Sequence, residues 1–202
     1  MNKESMKKGS LIALVVVIVL VLVGARYGIK SNNEMVLKQE GVRTAWSQVE
    51  NQYQRRADLI PNLVATVKGY AEHEQATLEG VVEARAKATQ VTVNADELTP
   101  EALEAYMATQ NNLTQALGKL IALKEAYPDL KANENFMALQ TQLEGTENRI
   151  TTERMRFNDT AKEYNTYIKM FPRNIVAKLL GFDAQVYFES APGAETAPVV
   201  EF

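Results

Sequence analysis

Hydrophobic and polar positions divide this chain into one stretch that is apolar on every side and several that are apolar on one side only. From Leu11 to Ala25 (LIALVVVIVLVLVGA) no charged residue interrupts the run. With Gly9 and Ser10 the uncharged stretch covers 9–25, near the lower end of the roughly 17–25 residues that cross a hydrocarbon core as a helix. Lys3, Lys7 and Lys8 precede it, Arg26 and Lys30 follow it, and Tyr27 stands where an interfacial aromatic belongs. The expected reading is a retained transmembrane anchor. A cleaved secretory signal competes with it, because Val23-Gly24-Ala25 offers the small residues of a cleavage site. The lysine excess before the run predicts a cytoplasmic N-terminus, with the bulk of the chain on the non-cytoplasmic side.

After the run the apolar positions recur at steps of three and four. Val36, Val42, Trp46, Val49 and Tyr53 predict a first amphipathic helix over about 32–56. Asp58-Leu59-Ile60-Pro61 then reads as a cap with proline in the first turn of a second helix. Its stripe is Ile60, Leu63, Val67, Tyr70, Leu78, Val81 and Ala88, fading near Gln90. Residues 91–98 (VTVNADEL) break the pattern, and Thr99-Pro100-Glu101 starts a third helix running to about Tyr127. Its seam is Leu103, Tyr106, Leu113, Leu117, Leu120 and Tyr127, with Gln110 and Lys124 at intervening places. In the fourth, Phe136, Leu139, Leu143, Ile150, Phe157, Ala161, Tyr164, Ile168 and Phe171 hold a period near 3.5, which calls for coiled-coil-like packing. A shorter apolar piece ends at Gly181.

The expected fold is therefore all-α: an N-terminal transmembrane helix, then an antiparallel up-and-down four-helix bundle of long helices, with a short C-terminal helix and a disordered tail. The segments are a basic N-terminus over 1–8, the anchor and its flank over 9–30, the bundle over 31–188 and the tail over 189–202.

Charge and cysteine usage narrow the function. Residues 1–30 hold five of the 22 basic residues and one of the 25 acidic ones, which leaves 17 basic and 24 acidic beyond them. A net charge of −7 on that part argues against a nucleic-acid partner. With no cysteine, a disulfide framework, a thiolate metal site and a cysteine nucleophile are excluded.

Two long blocks resemble the LemA family of bacterial membrane proteins. The first is QRRADLIPNLVATVKGYAEHEQATLEGVVEARAKA at 54–88, preceded by Ala45-Trp46-Ser47-Gln48. The second is LQTQLEGTENRITTERMRFNDTAKEYNTYIKMFPRNIVAKLLGF at 139–182, followed by Tyr187-Phe188-Glu189. The resemblance implies a short membrane segment, a soluble four-helix bundle and partners in the envelope. It brings no catalytic residue set.

The residues themselves offer no enzyme. His73 is the single histidine, and position 77 is Thr, so the paired histidines of a helical zinc site are absent. Pairs such as Glu79 with Glu83 read as a solvated helix face. No catalytic residue, metal site or cofactor is expected. Two candidate interaction regions remain. Arg55, Arg56, Asp58 and Asn62 would form a polar tip at the turn between the first two helices, or simply cap it. Phe171, Ile175, Val176, Leu179, Leu180, Phe182, Tyr187 and Phe188 form an apolar segment that would cap the bundle end, meet a neighbouring subunit or touch lipid.

The resulting expectation is a non-enzymatic, single-pass protein of the bacterial inner membrane, held in the lipid bilayer through residues 9–25. It would act as a helical scaffold or interaction module, self-associating and binding an envelope protein. The alternatives are a regulatory subunit of a membrane protease and, more remotely, a metal-dependent enzyme.

Overall fold

A computed structural model of the chain describes residues 3–95 and 98–189. The tail expected to be disordered lies, from residue 190 onward, outside the described residues. Among those described, every regular element is helical: α1 (Lys3–Lys68), α2 (Gln75–Gln90), α3 (Pro100–Ala122), α4 (Pro128–Lys131), α5 (Glu134–Lys169) and α6 (Arg173–Leu180), with a 3₁₀ turn at Leu123–Glu125. α1 holds, from Leu11, the stretch long and apolar enough to cross a membrane. Every large apolar side chain from Leu11 to Val23 is about half exposed or more, so no other element among the described residues covers this run.

The first joint is a correction. The chain does not turn at Asp58–Pro61: α1 continues through Pro61 to Lys68, and the turn falls at 69–74. A proline inside a helix removes the N–H that would bond to the carbonyl four residues earlier, here that of Ala57. Arg85 of α2 replaces it, its Nε donating to the Ala57 oxygen at 2.8 Å. The lost hydrogen bond is supplied from a neighbouring helix, and the helix persists.

The other starts follow local chemistry. Thr99 caps α3, its hydroxyl accepting from the Ala102 N–H at 3.1 Å, with Pro100 at the first helical position. The expected run of the third helix to Tyr127 is shortened, since α3 gives way to the 3₁₀ turn and then to α4, whose Leu130 is buried. Asn133 caps α5 by accepting from the Phe136 N–H at 2.9 Å. α5 ends at Lys169, before Pro172, and leaves Phe171 outside the fourth seam. α6 stops at Gly181, which takes the left-handed conformation (φ 76°) that glycine adopts without a Cβ clash.

The chain packs as two compact units, one comprising the part up to Gly41 together with Lys162–Ala184, the other Val42–Ala161 together with the stretch from Gln185. In the second, α1 from Val42, α2, α3 and α5 up to Ala161 enclose a core that includes Ile60, Leu63, Val67, Val81, Leu113, Leu120, Phe136 and Leu143. The turn at 69–74 meets the joint between α3 and α5, where Tyr127 donates to Glu74 (3.1 Å) and Asn133 Nδ2 to the Tyr70 hydroxyl (2.9 Å). In the first unit Met35, Tyr164, Ile168 and Ala177 are buried. Lys38 of α1 pairs there with Glu163 of α5 (3.7 Å), and the Tyr164 hydroxyl donates to the Asp183 carbonyl at 3.0 Å.

Candidate functional site

The polar tip expected at Arg55–Asn62 does not form a tip, because these residues lie inside α1. Arg55, Asp58 and Asn62 are exposed on its surface, and Asp58 accepts from Gln54 at 2.8 Å. Arg56 turns the other way and is 1% exposed. Its Nη1 donates to Thr114 Oγ1 (2.9 Å) and Glu147 Oε1 (2.7 Å). Its Nη2 donates to the Gln110 carbonyl (3.2 Å) and to Gln110 Oε1 (2.7 Å). Gln110 Nε2 in turn donates to the Ala88 carbonyl at 3.2 Å. One guanidinium thus ties together α1, α3 and α5, and through Gln110 it reaches the end of α2. A buried guanidinium with these partners is unavailable to any outside ligand. Its planar fork suits several fixed acceptors at once, which a lysine ammonium does not.

The sequence signal for this layer was the polar residue Gln110 on an otherwise apolar seam. Its partners Thr114 and Glu147 carried no such mark, since both fall on the polar side of their helical pattern.

Next to this layer lies an aromatic cluster. Trp46 is 1% exposed, donates through Nε1 to the Val93 carbonyl at 2.9 Å, and packs against Tyr106, Phe157 and Phe188 with ring centroids 5.5–5.8 Å apart. Phe188 is held from its backbone as well: Asn158 accepts from the Phe188 N–H (2.8 Å) and donates to its carbonyl (2.9 Å). Arg154 covers the outer face of that ring at 4.7 Å. A half-open cleft of about 150 Å³ opens beside Glu50, Tyr53, Tyr106 and Gln110, well below the ~300–1,000 Å³ of typical small-molecule pockets. Burial raises the Glu50 carboxyl above its ordinary value, the nearby Trp46 indole N–H opposing it, and burial likewise raises the Tyr53 and Tyr106 hydroxyls.

The apolar candidate segment divides in two. Phe188 closes the aromatic cluster, while Tyr187 beside it is exposed. Of the rest, Val176 and Phe182 are half-buried, and Phe171, Ile175, Leu179 and Leu180 stand in the open. His73 is exposed in the turn at 69–74. Among the described residues no group of three or more His, Asp or Glu side chains is placed to hold a metal ion.

The LemA family profile matches residues 45–202. Magnetosome protein MamQ of Magnetospirillum gryphiswaldense is 26% identical over 185 residues, covering 83% of this chain and 68% of that protein. Magnetosome protein MamQ 2 of Paramagnetospirillum magneticum is 28% identical over 189 residues with the same coverage. Protein LemA of Metamycoplasma hominis is 25% identical over 159 residues, 79% of this chain and 69% of its own length. The match spans the buried arginine layer, the tryptophan cluster and α6, and the chain belongs to the LemA family.

Proposed function

We propose that this protein is a non-enzymatic, single-pass scaffold of the bacterial inner membrane, anchored by α1 and binding envelope proteins and further copies of itself through its helical part. One observation carries the reading: α1 combines a bare apolar run at its start with residues such as Trp46, Ile60 and Leu63 that build a packed helical core. An uncovered run of this length and composition is stable in lipid and costly in water.

The proposed arrangement of the helical part is an antiparallel up-and-down bundle of four. Three pairings support it: Ala57 with Arg85, Ala88 with Gln110, and Arg56 with both Thr114 and Glu147. The Arg56 Nη1 and Nη2 groups and the Gln110 amide hold helices together, and the exposed helix faces are the proposed functional surface. The lysine excess before the run supports a bundle on the non-cytoplasmic side.

The test is cross-linking in intact membranes followed by light scattering of the detergent-solubilised protein. Discrete oligomers and a reproducible envelope partner are expected. A strict monomer that captures no envelope protein contradicts the proposal, and capture of a membrane protease alone, whose substrate turnover changes on deletion of this gene, favours a regulatory subunit instead.

A further inference from the structure

At ~1.5 Å per residue the uncharged stretch 9–25 spans about 26 Å, a few Å short of the ~30 Å hydrocarbon core. Arg26 therefore stands at the edge of the hydrocarbon, with Lys30 about 6 Å and Glu34 about 12 Å further out. All three lie on one continuous helix. Headgroups occupy roughly 5–8 Å on each side of the hydrocarbon.

Leu22, Arg26, Lys30 and Glu34 follow at steps of four and form one ridge, with Ile29 and Asn33 beside it. They line an open groove of about 790 Å³. The opposite side of α1 is the packed one, where Ser31 is 3% and Met35 0% exposed. The groove side is bare: Leu22 is 63% and Ile29 65% exposed, and Arg26, Lys30, Asn33 and Glu34 are exposed as well. Side chains on a helix lean toward its N-terminus, which brings the Glu34 carboxylate back toward the level of Lys30. Arg26, at the hydrocarbon edge, extends its guanidinium outward to the same layer. The order along the groove is apolar, then cationic, then anionic.

A phospholipid presents the complementary order from inside out: acyl chains, a phosphodiester anion and, in one class, a primary ammonium a short link beyond it. The chain after residue 30 carries a net charge of −7, which disfavours a headgroup of net negative charge beside it. A quaternary ammonium has no N–H to donate to a carboxylate. Resting on the anchor reading above, we infer that this groove is a binding site for a phospholipid whose headgroup carries a primary amine: Leu22 lies along an acyl chain, Arg26 and Lys30 hold the phosphate, and Glu34 takes the ammonium. The site selects one lipid class in the leaflet through which α1 leaves the membrane.

The full chain is reconstituted into vesicles of phosphatidylethanolamine, phosphatidylglycerol and phosphatidylcholine in equal parts and floated on a density gradient. The floated protein is solubilised in mild detergent, and the lipids it retains are identified by native mass spectrometry. Phosphatidylethanolamine is expected to be retained about threefold or more over each of the others, the ratio that one exposed ion pair supplies. Glu34→Gln should lower its retention to that of phosphatidylcholine, and Arg26→Gln with Lys30→Gln should reduce retention of all three lipids. Lys30→Glu combined with Glu34→Lys keeps composition and net charge but reverses the order, and should abolish the preference. Circular dichroism should stay unchanged throughout, since these side chains are exposed. Equal retention of the three lipids, a preference for phosphatidylglycerol, or a phosphatidylethanolamine preference that survives the reversal overturns the inference, while flotation of the chain leaves the anchor standing. A chain that does not float with the vesicles fails the anchor reading itself, and the lipid site falls with it.

Discussion

At the scale of single residues, Arg56 shows how a polar side chain sets a helical core. Glu147 is partly exposed, with 43% of its side-chain surface accessible, so after loss of Arg56 it returns to water at little cost. Gln110 is buried at 4% exposure, and its Oε1 would lose its donor in the interior. An unpaired buried acceptor costs about 1–3 kcal/mol, and the emptied space adds to this. Arg56→Ala should therefore lower stability by about 2–4 kcal/mol in urea melts, and Glu147→Ala, which leaves the buried guanidinium without its carboxylate partner, by about 3–5 kcal/mol. A loss under about 1 kcal/mol for Glu147→Ala would contradict this account of the buried pair. Glu50 gives a pH dependence of definite sign. Its raised pKa means that the folded state holds the proton more tightly than the unfolded chain, which favours folding at acid pH and loses that advantage as pH rises through the folded value. Glu50→Gln should raise Tm near pH 7 and leave it unchanged near pH 4. A gain at pH 4 but not at pH 7 would reverse the assignment.

At the scale of elements, Pro61 shows where sequence reading stops. Its local signals, Asp58 before and Asn62 after, match a helix start, and nothing nearby reveals that Arg85, 24 residues on, will occupy the freed carbonyl of Ala57. The two sites should be coupled. Arg85→Met should cost about 1 kcal/mol with Pro61 present and clearly less in a Pro61→Ala background, where the new N–H bonds to Ala57 directly. Additive effects across that double-mutant cycle would show that the helix crosses Pro61 without help from α2. The long apolar seams were legible because burial follows period: Leu113, Leu117 and Leu120 on α3, and Phe136, Leu143, Ile150 and Phe157 on α5, are all interior. Phe171 was not, because the seam pattern ran past Lys169 while Pro172 ended the helix. α4 was missed for the opposite reason. Four residues are too few to show a period, and only the packing of Leu130 marks them as ordered.

At the scale of the whole molecule, the LemA family membership and the all-helical architecture were readable from two sequence blocks and from spacing. The roles of individual side chains depended on packing that spacing does not encode: Arg56 was read as surface and lies inside, and Phe188 was grouped with an open face and closes the tryptophan cluster. The central claim is that α1 holds this protein in the bilayer through the run beginning at Leu11. Alkaline carbonate extraction of membranes carrying the full chain tests it most directly, with a Val17→Arg/Leu20→Arg variant alongside. Placing two arginines near the middle of the span costs about 5–7 kcal/mol of insertion free energy. The account predicts that the unaltered chain stays in the membrane pellet at its full intact mass and that the double-arginine chain appears in the supernatant with its helical circular dichroism retained. Release of the unaltered chain by carbonate, or its recovery cleaved after Ala25, would contradict the account.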